Sequence, residues 1–152
     1  IINTCAVENP KFIREASDNF GSSTIVVCID VKKKFFSGNV VWSNSGSKSS
    51  KYSPKDFAKL IEENGAGEII IQSINKDGTM SGYDLDLIKE ISTTVTIPVV
   101  ALGGAGNLEH MIEAYTKGFA SALAAGSLFV FQGPKKGVLI NYVENSDLSF
   151  FR

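Results

Sequence analysis

The run Thr24-Ile25-Val26-Val27-Cys28-Ile29 is apolar on both faces, rich in β-branched residues and too short for a helix, as a strand inside a parallel sheet is. Asp30 follows and is read as its end. Comparable runs at Glu68 to Ile74, Ile97 to Leu102 and Ala120 to Ala125 predict three more strands. Between them the apolar residues change to helical spacing: Phe12, Ile13 and Ala16 after Asn9-Pro10, stopping near Phe20-Gly21, then Phe57, Leu60 and Ile61 after Ser53-Pro54, with Gly65 as a stop. Two more helices are predicted over Tyr83 to Ser92 and Asn107 to Lys117, and a last one over Lys135 to Val143. Ile1-Ile2 leading into Asn3-Thr4 resembles a strand entered part-way, so the chain is expected to be truncated. Two stretches interrupt the alternation. Phe35 to Trp42 has short apolar arms about Ser37-Gly38-Asn39, a hairpin pattern, and the Ser/Lys-rich segment from Ser43 to Ser53 reads as a mobile loop.

Strands and helices in strict alternation call for an α/β fold of parallel strands joined by helical crossovers. Five strands in an open sheet leave both edges unpaired, so more of the same repeat is expected, with a closed (β/α)8 barrel of the TIM family as the economical completion. Residues 1–152 are then one domain, about half a barrel. Composition narrows the function. With 15 basic and 16 acidic residues and a net charge of -1, the chain lacks the basic footprint of a nucleic-acid binder. No apolar run is long enough for a membrane span, and the start is not a signal peptide, which points to the cytoplasm. Cys5 and Cys28 read as small buried residues of a reducing compartment, and the single histidine, His110, argues against a His-rich metal centre. No metal or cofactor is expected.

Polar and glycine residues collect after the strands, where barrel enzymes keep their chemistry. Asp30 could exchange protons with a substrate there, or could serve as a helix cap or an ion-pair partner of Lys32 or Lys33. Asp77-Gly78-Thr79, Gly103-Gly104-Ala105-Gly106 and Ala125-Gly126-Ser127 bring glycines to three strand ends. Glycine lets backbone N–H groups approach an anion, so the last two segments predict a phosphate cradle; tight turns are the alternative for either alone. Gly103 to Gly106 is not G-x-G-x-x-G, and no dinucleotide is proposed.

Five segments carry a resemblance: Asn3-Thr4-Cys5-Ala6-Val7-Glu8-Asn9-Pro10, Ile25-Val26-Val27-Cys28-Ile29-Asp30-Val31-Lys32, Gly65-Ala66-Gly67-Glu68-Ile69, Asp77-Gly78-Thr79-Met80-Ser81-Gly82-Tyr83-Asp84 and Gly103-Gly104-Ala105-Gly106. In this order they resemble the successive motifs of the cyclase subunit of imidazole glycerol phosphate synthase. The resemblance implies strands 4 to 8 of the barrel, the C-terminal half. It also implies a lyase of histidine biosynthesis that takes ammonia from a glutaminase (amidotransferase) partner and closes the imidazole ring of a substrate with two phosphate groups. Asp30 matches one of the family's two acid–base aspartates. Asn3 and Thr4 match residues around one phosphate; Asp77, Gly78, Gly104, Gly126 and Ser127 match the loops around the other, which Gly103 adjoins. Glu68 matches an acidic member of the ammonia gate at the barrel bottom, although a glutamate starting a strand is also commonly just solvated.

The chain departs from the family pattern at Gln72 and Asn75, at Leu102 before the glycine pair, in Ala125-Gly126-Ser127-Leu128-Phe129, and from Phe131 to Tyr142. The last stretch is similar to cyclase-like proteins of surface-polysaccharide (lipopolysaccharide) biosynthesis, where the implied role is to channel ammonia for amidation of a sugar. Three expectations follow: a cyclase, a sugar-amidation paralogue, or a non-catalytic half-barrel that binds phosphate and self-associates through its open edges.

Overall fold

The computed structural model describes residues 1–34, 38–132, 137–138, 140, 142 and 147–151. After α1 (Thr4–Glu8) and α2 (Lys11–Phe20) come the strands β1 (Val26–Lys34), β2 (Gly38–Ser43) and β3 (Lys48–Ser49), then α3 (Pro54–Glu63) and β4 (Glu68–Ser73). The chain continues through α4 (Leu85–Ser92), β5 (Val99–Leu102), α5 (Leu108–Thr116), β6 (Ala122–Ala124) and the short α6 (Ser127–Val130). The two-residue strands β7 (Phe131–Gln132) and β8 (Gly137–Val138) form a separate antiparallel pair.

The main sheet has six strands in the order β3-β2-β1-β4-β5-β6. β1, β4, β5 and β6 are parallel neighbours, and Ile2 makes a parallel bridge to Val27, where the first polar-ended fragment was expected. Side chains alternate across each strand. Val27, Ile29, Val31, Ile69, Ile71, Val99 and Ala101 are buried against Ile13, Phe57, Ile61, Leu87, Ile91 and Ala114 of the helices. Burying a large aliphatic or aromatic side chain stabilises by about 1.5–3 kcal/mol, so this one-sided layer holds the fold together. On the opposite face Val26, Cys28, Asp30, Glu68, Ile70, Gln72 and Leu102 are only partly covered.

Local signals set the helix ends. Ser53 Oγ accepts from the Asp56 amide at 3.1 Å, with Pro54 in the first turn; Asp84 and Asn107 cap α4 and α5 through the amides of Leu87 and His110. α2 begins at Lys11 with Pro10 at the cap position and no side-chain cap, and Phe12 lies on its exposed side while Ile13 and Ala16 face the core.

Several expectations are corrected. β1 does not end at Asp30 but runs to Lys34, because β2 pairs antiparallel with residues 30 to 34 after the parallel pairing with β4 stops at Val31. The segment from Ser43 to Ser53 is not a mobile loop: a turn through the left-handed residues Asn44 and Ser45 leads into β3, and Tyr52 stacks against Phe57 at 5.1 Å. Tyr83 precedes α4, which Asp84 caps and Leu85 starts. Cys5 is exposed and Cys28 partly so. The hairpin arms are present, while its tip at residues 35–37 lies outside the described residues. The expected helix from Lys135 to Val143 also falls mostly outside them; its described pair Gly137–Val138 is extended against β7. Among the described residues no helix is long and apolar enough to cross a membrane.

Candidate active site

The register of the sheet sorts its open face into layers. Cys28, Ile70, Val100 and Ala122 are cross-strand neighbours in one layer; Asp30, Gln72, Leu102 and Ala124 form the next, at the C-terminal ends of the strands. Glu68 pairs with Val26 at the other end, four residues before Gln72, a separation of roughly 13 Å at strand rise. Glu68 is therefore not part of the Asp30 cluster.

Asp30 is half-buried on the face it shares with Cys28, whose Sγ lies 3.7 Å from Asp30 Oδ1. Burial raises the Asp30 carboxyl above the usual carboxylate range; the Asn3 amide and the Cys28 thiol act against that rise, and the Asp77 carboxylate adds to it. The Cys28 thiol is pushed up to about 11, first by burial and then by the Asp30 charge, so it stays protonated and can donate to the carboxylate. Asn3 Nδ2 donates to the Cys28 carbonyl at 3.1 Å, and Thr4 Oγ1 lies 3.3 Å from Asn3 Oδ1 and accepts from the Asn44 amide at 3.0 Å. Asn3 and Thr4 thus sit on the β1 side of the site, away from the glycine loops.

Asp77, Gly78, Gly103, Gly104, Gly126 and Ser127 line one small polar recess together with Leu102, Ala105 and Ala125. Close packing explains two of its glycines, Gly103 and Gly104. A Cβ on Gly104 would stand 2.2 Å from the Gly82 carbonyl, and Gly103 and Gly104 have φ of +96° and +106°, a region that favours glycine. The Gly82 amide donates to Gly104 O at 2.8 Å. Tyr83 Oη donates to the Ala124 carbonyl at 2.9 Å, tying the loop after β4 to the end of β6. Burial raises its phenol to about 12, so it remains a donor. Gln72 Nε2 donates to Asp77 Oδ2 at 3.3 Å and so links the Asp30 layer to the recess.

Cys28, Gln72 and Tyr83 join the site beyond the residues expected from sequence. The period of two along a strand places Cys28 on the face of Asp30, which is a usable sequence signal. Nothing local marks Tyr83, whose partner Ala124 lies at the end of another strand. Among the described residues no group of three or more His, Cys, Asp or Glu side chains could hold a metal ion.

The family model described as "Histidine biosynthesis protein" matches residues 1–133. A HisF-type subunit of imidazole glycerol phosphate synthase from Chlorobium phaeobacteroides is 47% identical over 134 residues, covering 86% of this chain and 52% of its own length. Two relatives with provisional names align further. The synthase subunit hisF2 of Pseudomonas aeruginosa is 42% identical over 147 residues, and a HisF-type subunit of Leptospira borgpetersenii is 43% identical over 148. Each covers 97% of this chain, and 59% and 58% of its own length. The chain spans little more than half the length of these relatives.

Proposed function

The chain belongs to the histidine biosynthesis protein family, a TIM-barrel type, and on that premise we propose that it is the C-terminal half-barrel of a cyclase subunit that forms imidazole glycerol phosphate. The observation that carries this reading is one end of one sheet: a half-buried carboxylate, Asp30, stands beside a recess lined by three glycine-bearing loops. A carboxyl held above its ordinary range keeps its proton nearer to neutrality and can both take and return one as a ring closes. Amides on glycine loops hold a phosphate without a cationic side chain. Asn3 and Thr4 would face the substrate's other phosphate. The second acid–base aspartate and strands 1 to 3 would come from the rest of the barrel.

Ammonia from a glutaminase partner would enter at the Glu68 end. The layer between Glu68 and Asp30 is Cys28, Ile70, Val100 and Ala122, which carries no charge and favours neutral ammonia over ammonium. In the chain complemented with the other half of the barrel, Asp30→Asn should cut turnover of the imidazole precursor with ammonium by about 10²–10⁴-fold. Affinity for inorganic phosphate should not change. Turnover that survives the substitution rules out the acid–base role.

A second reading is favoured by one observation. Gln72 and Leu102, two of the positions where the sequence departs from the family pattern, lie in the layer of Asp30, Gln72 directly across from it and Leu102 one strand further on. A long amide beside the reacting group and a leucine next along the layer would reshape the substrate space, as a paralogue channelling ammonia for sugar amidation requires. If the unmutated protein does not turn over the imidazole precursor, this account takes precedence.

A further inference from the structure

His110 is the single histidine of the chain and has no part in the chemistry proposed above. It lies in the first turn of α5, next to the glycine-rich loop, and its side chain reaches back to that loop: the Gly106 amide donates to His110 Nδ1 at 3.2 Å. The ring also lies against the loop after β4, since a Cβ on Gly82 would meet His110 Cδ2 at 3.5 Å and Nε2 at 3.7 Å. One side chain therefore touches both loops that close the recess from this side.

The Gly103–Gly106 segment is fixed at two points. Gly104 O accepts from the Gly82 amide at 2.8 Å, and the Gly106 amide is held by His110. The Ala105 amide lies between these points and the Gly104 amide just before the first, and among the described residues neither donates to a protein acceptor. Both residues line the recess. Gly106 itself has no room to shift toward the β4 loop, because a Cβ there would stand 2.1 Å from Met80 O. An imidazole that accepts at Nδ1 is neutral and carries its proton on Nε2.

Resting on the phosphate-cradle reading, we propose that His110 is a positioning residue: by accepting the Gly106 amide at Nδ1 it holds the Gly104 and Ala105 amides in place to bind a phosphate group. It does not touch the anion. Without the acceptor, the loop keeps its connection at Gly104 but not at Gly106, and the two amides are no longer held in advance of binding.

The test uses inorganic phosphate, titrated calorimetrically into the 152-residue chain and its variants, with thermal melting and Gly106 amide hydrogen exchange measured in parallel. Asparagine places an oxygen acceptor where Nδ1 stands; glutamine places it one atom further out, and leucine has none. His110→Asn should bind phosphate within about twofold of the parent, whereas His110→Gln and His110→Leu should bind about tenfold more weakly, with faster Gly106 exchange. The melting comparison excludes a merely unfolded variant, and rescue by asparagine alone separates the acceptor from ring packing. His110→Leu binding phosphate as tightly as the parent overturns the proposal while leaving the cradle intact. Equal weakening in all three variants also overturns it, because packing against Gly82 would then be responsible. A parent chain that does not bind phosphate overturns the cradle reading itself, and this proposal with it.

Discussion

Two carboxylates in this molecule are perturbed in opposite directions, and their pH signatures should be opposite too. Asp30 is raised mainly by burial, so its folded form prefers the proton: the stability it contributes is full below its ordinary value of 3.8 and is lost as pH rises through the raised one. Asp30→Asn should therefore melt higher than the parent at neutral pH, with the difference vanishing at strongly acidic pH. Glu62 behaves the other way. Burial pushes it up, but hydrogen bonds from the Thr96 hydroxyl and the Thr96 and Ile97 amides, at 2.7, 2.7 and 3.2 Å, outweigh that and hold it below the ordinary range. These bonds latch the end of α3 onto the approach to β5, and their contribution is present above the unfolded value and lost as pH falls through the folded one. Glu62→Ala should cost about 1 kcal/mol near neutrality and less in acid, measured by denaturant unfolding across pH. A pH-independent difference for either variant would refute the assignment.

At the scale of elements, the glycine loops separate into those forced by packing and those that are not. Gly104 combines a φ of +106° with a carbonyl 2.2 Å from where its Cβ would be, whereas Gly126 is not in the left-handed region and has nothing within 4 Å of an added Cβ. Gly104→Ala should lose phosphate affinity and about 1–3 kcal/mol of stability, while Gly126→Ala should melt like the parent. Comparable melting temperatures for the two would show that the loop can relax. The strands and helices themselves were legible because burial on one face imposes a period of two or 3.6 on the chain. The continuation of β1 past Asp30 was an exception. Val31 to Lys34 continue β1 only because β2 supplies a partner for their backbone groups, and a polar residue such as Asp30 within a strand reads as an ending when no partner is visible.

For the whole molecule, the open face of the sheet is the dominant feature. Val26, Cys28, Ile70 and Leu102 on this face are partly covered, and among the described residues β6 is paired only with β5. Exposed strand edges beside partly covered apolar surface favour association. Sedimentation of the 152-residue chain should show dimers or larger species that grow with concentration, and Ile70→Lys should reduce them without lowering the melting temperature. A single monomeric species over the accessible concentration range would contradict this.

The sequence by itself determined the alternation of β1, β4, β5 and β6 with the helices α2 to α5, the helix stops at Gly21 and Gly65, and the candidate residues Asp30, Asp77, Gly103, Gly104, Gly126 and Ser127. These are properties of periodicity and of backbone conformations that only certain residues tolerate, both of which are written locally. Only the tertiary structure decided which of them meet. It set Asp30 across from Gln72, gathered three loops into one recess, laid His110 against Gly82 of the loop after β4, and joined Tyr83 to the end of β6. Such pairings depend on the register between parallel strands, which is fixed by how the whole helical layer packs on the sheet and leaves no local mark on the chain.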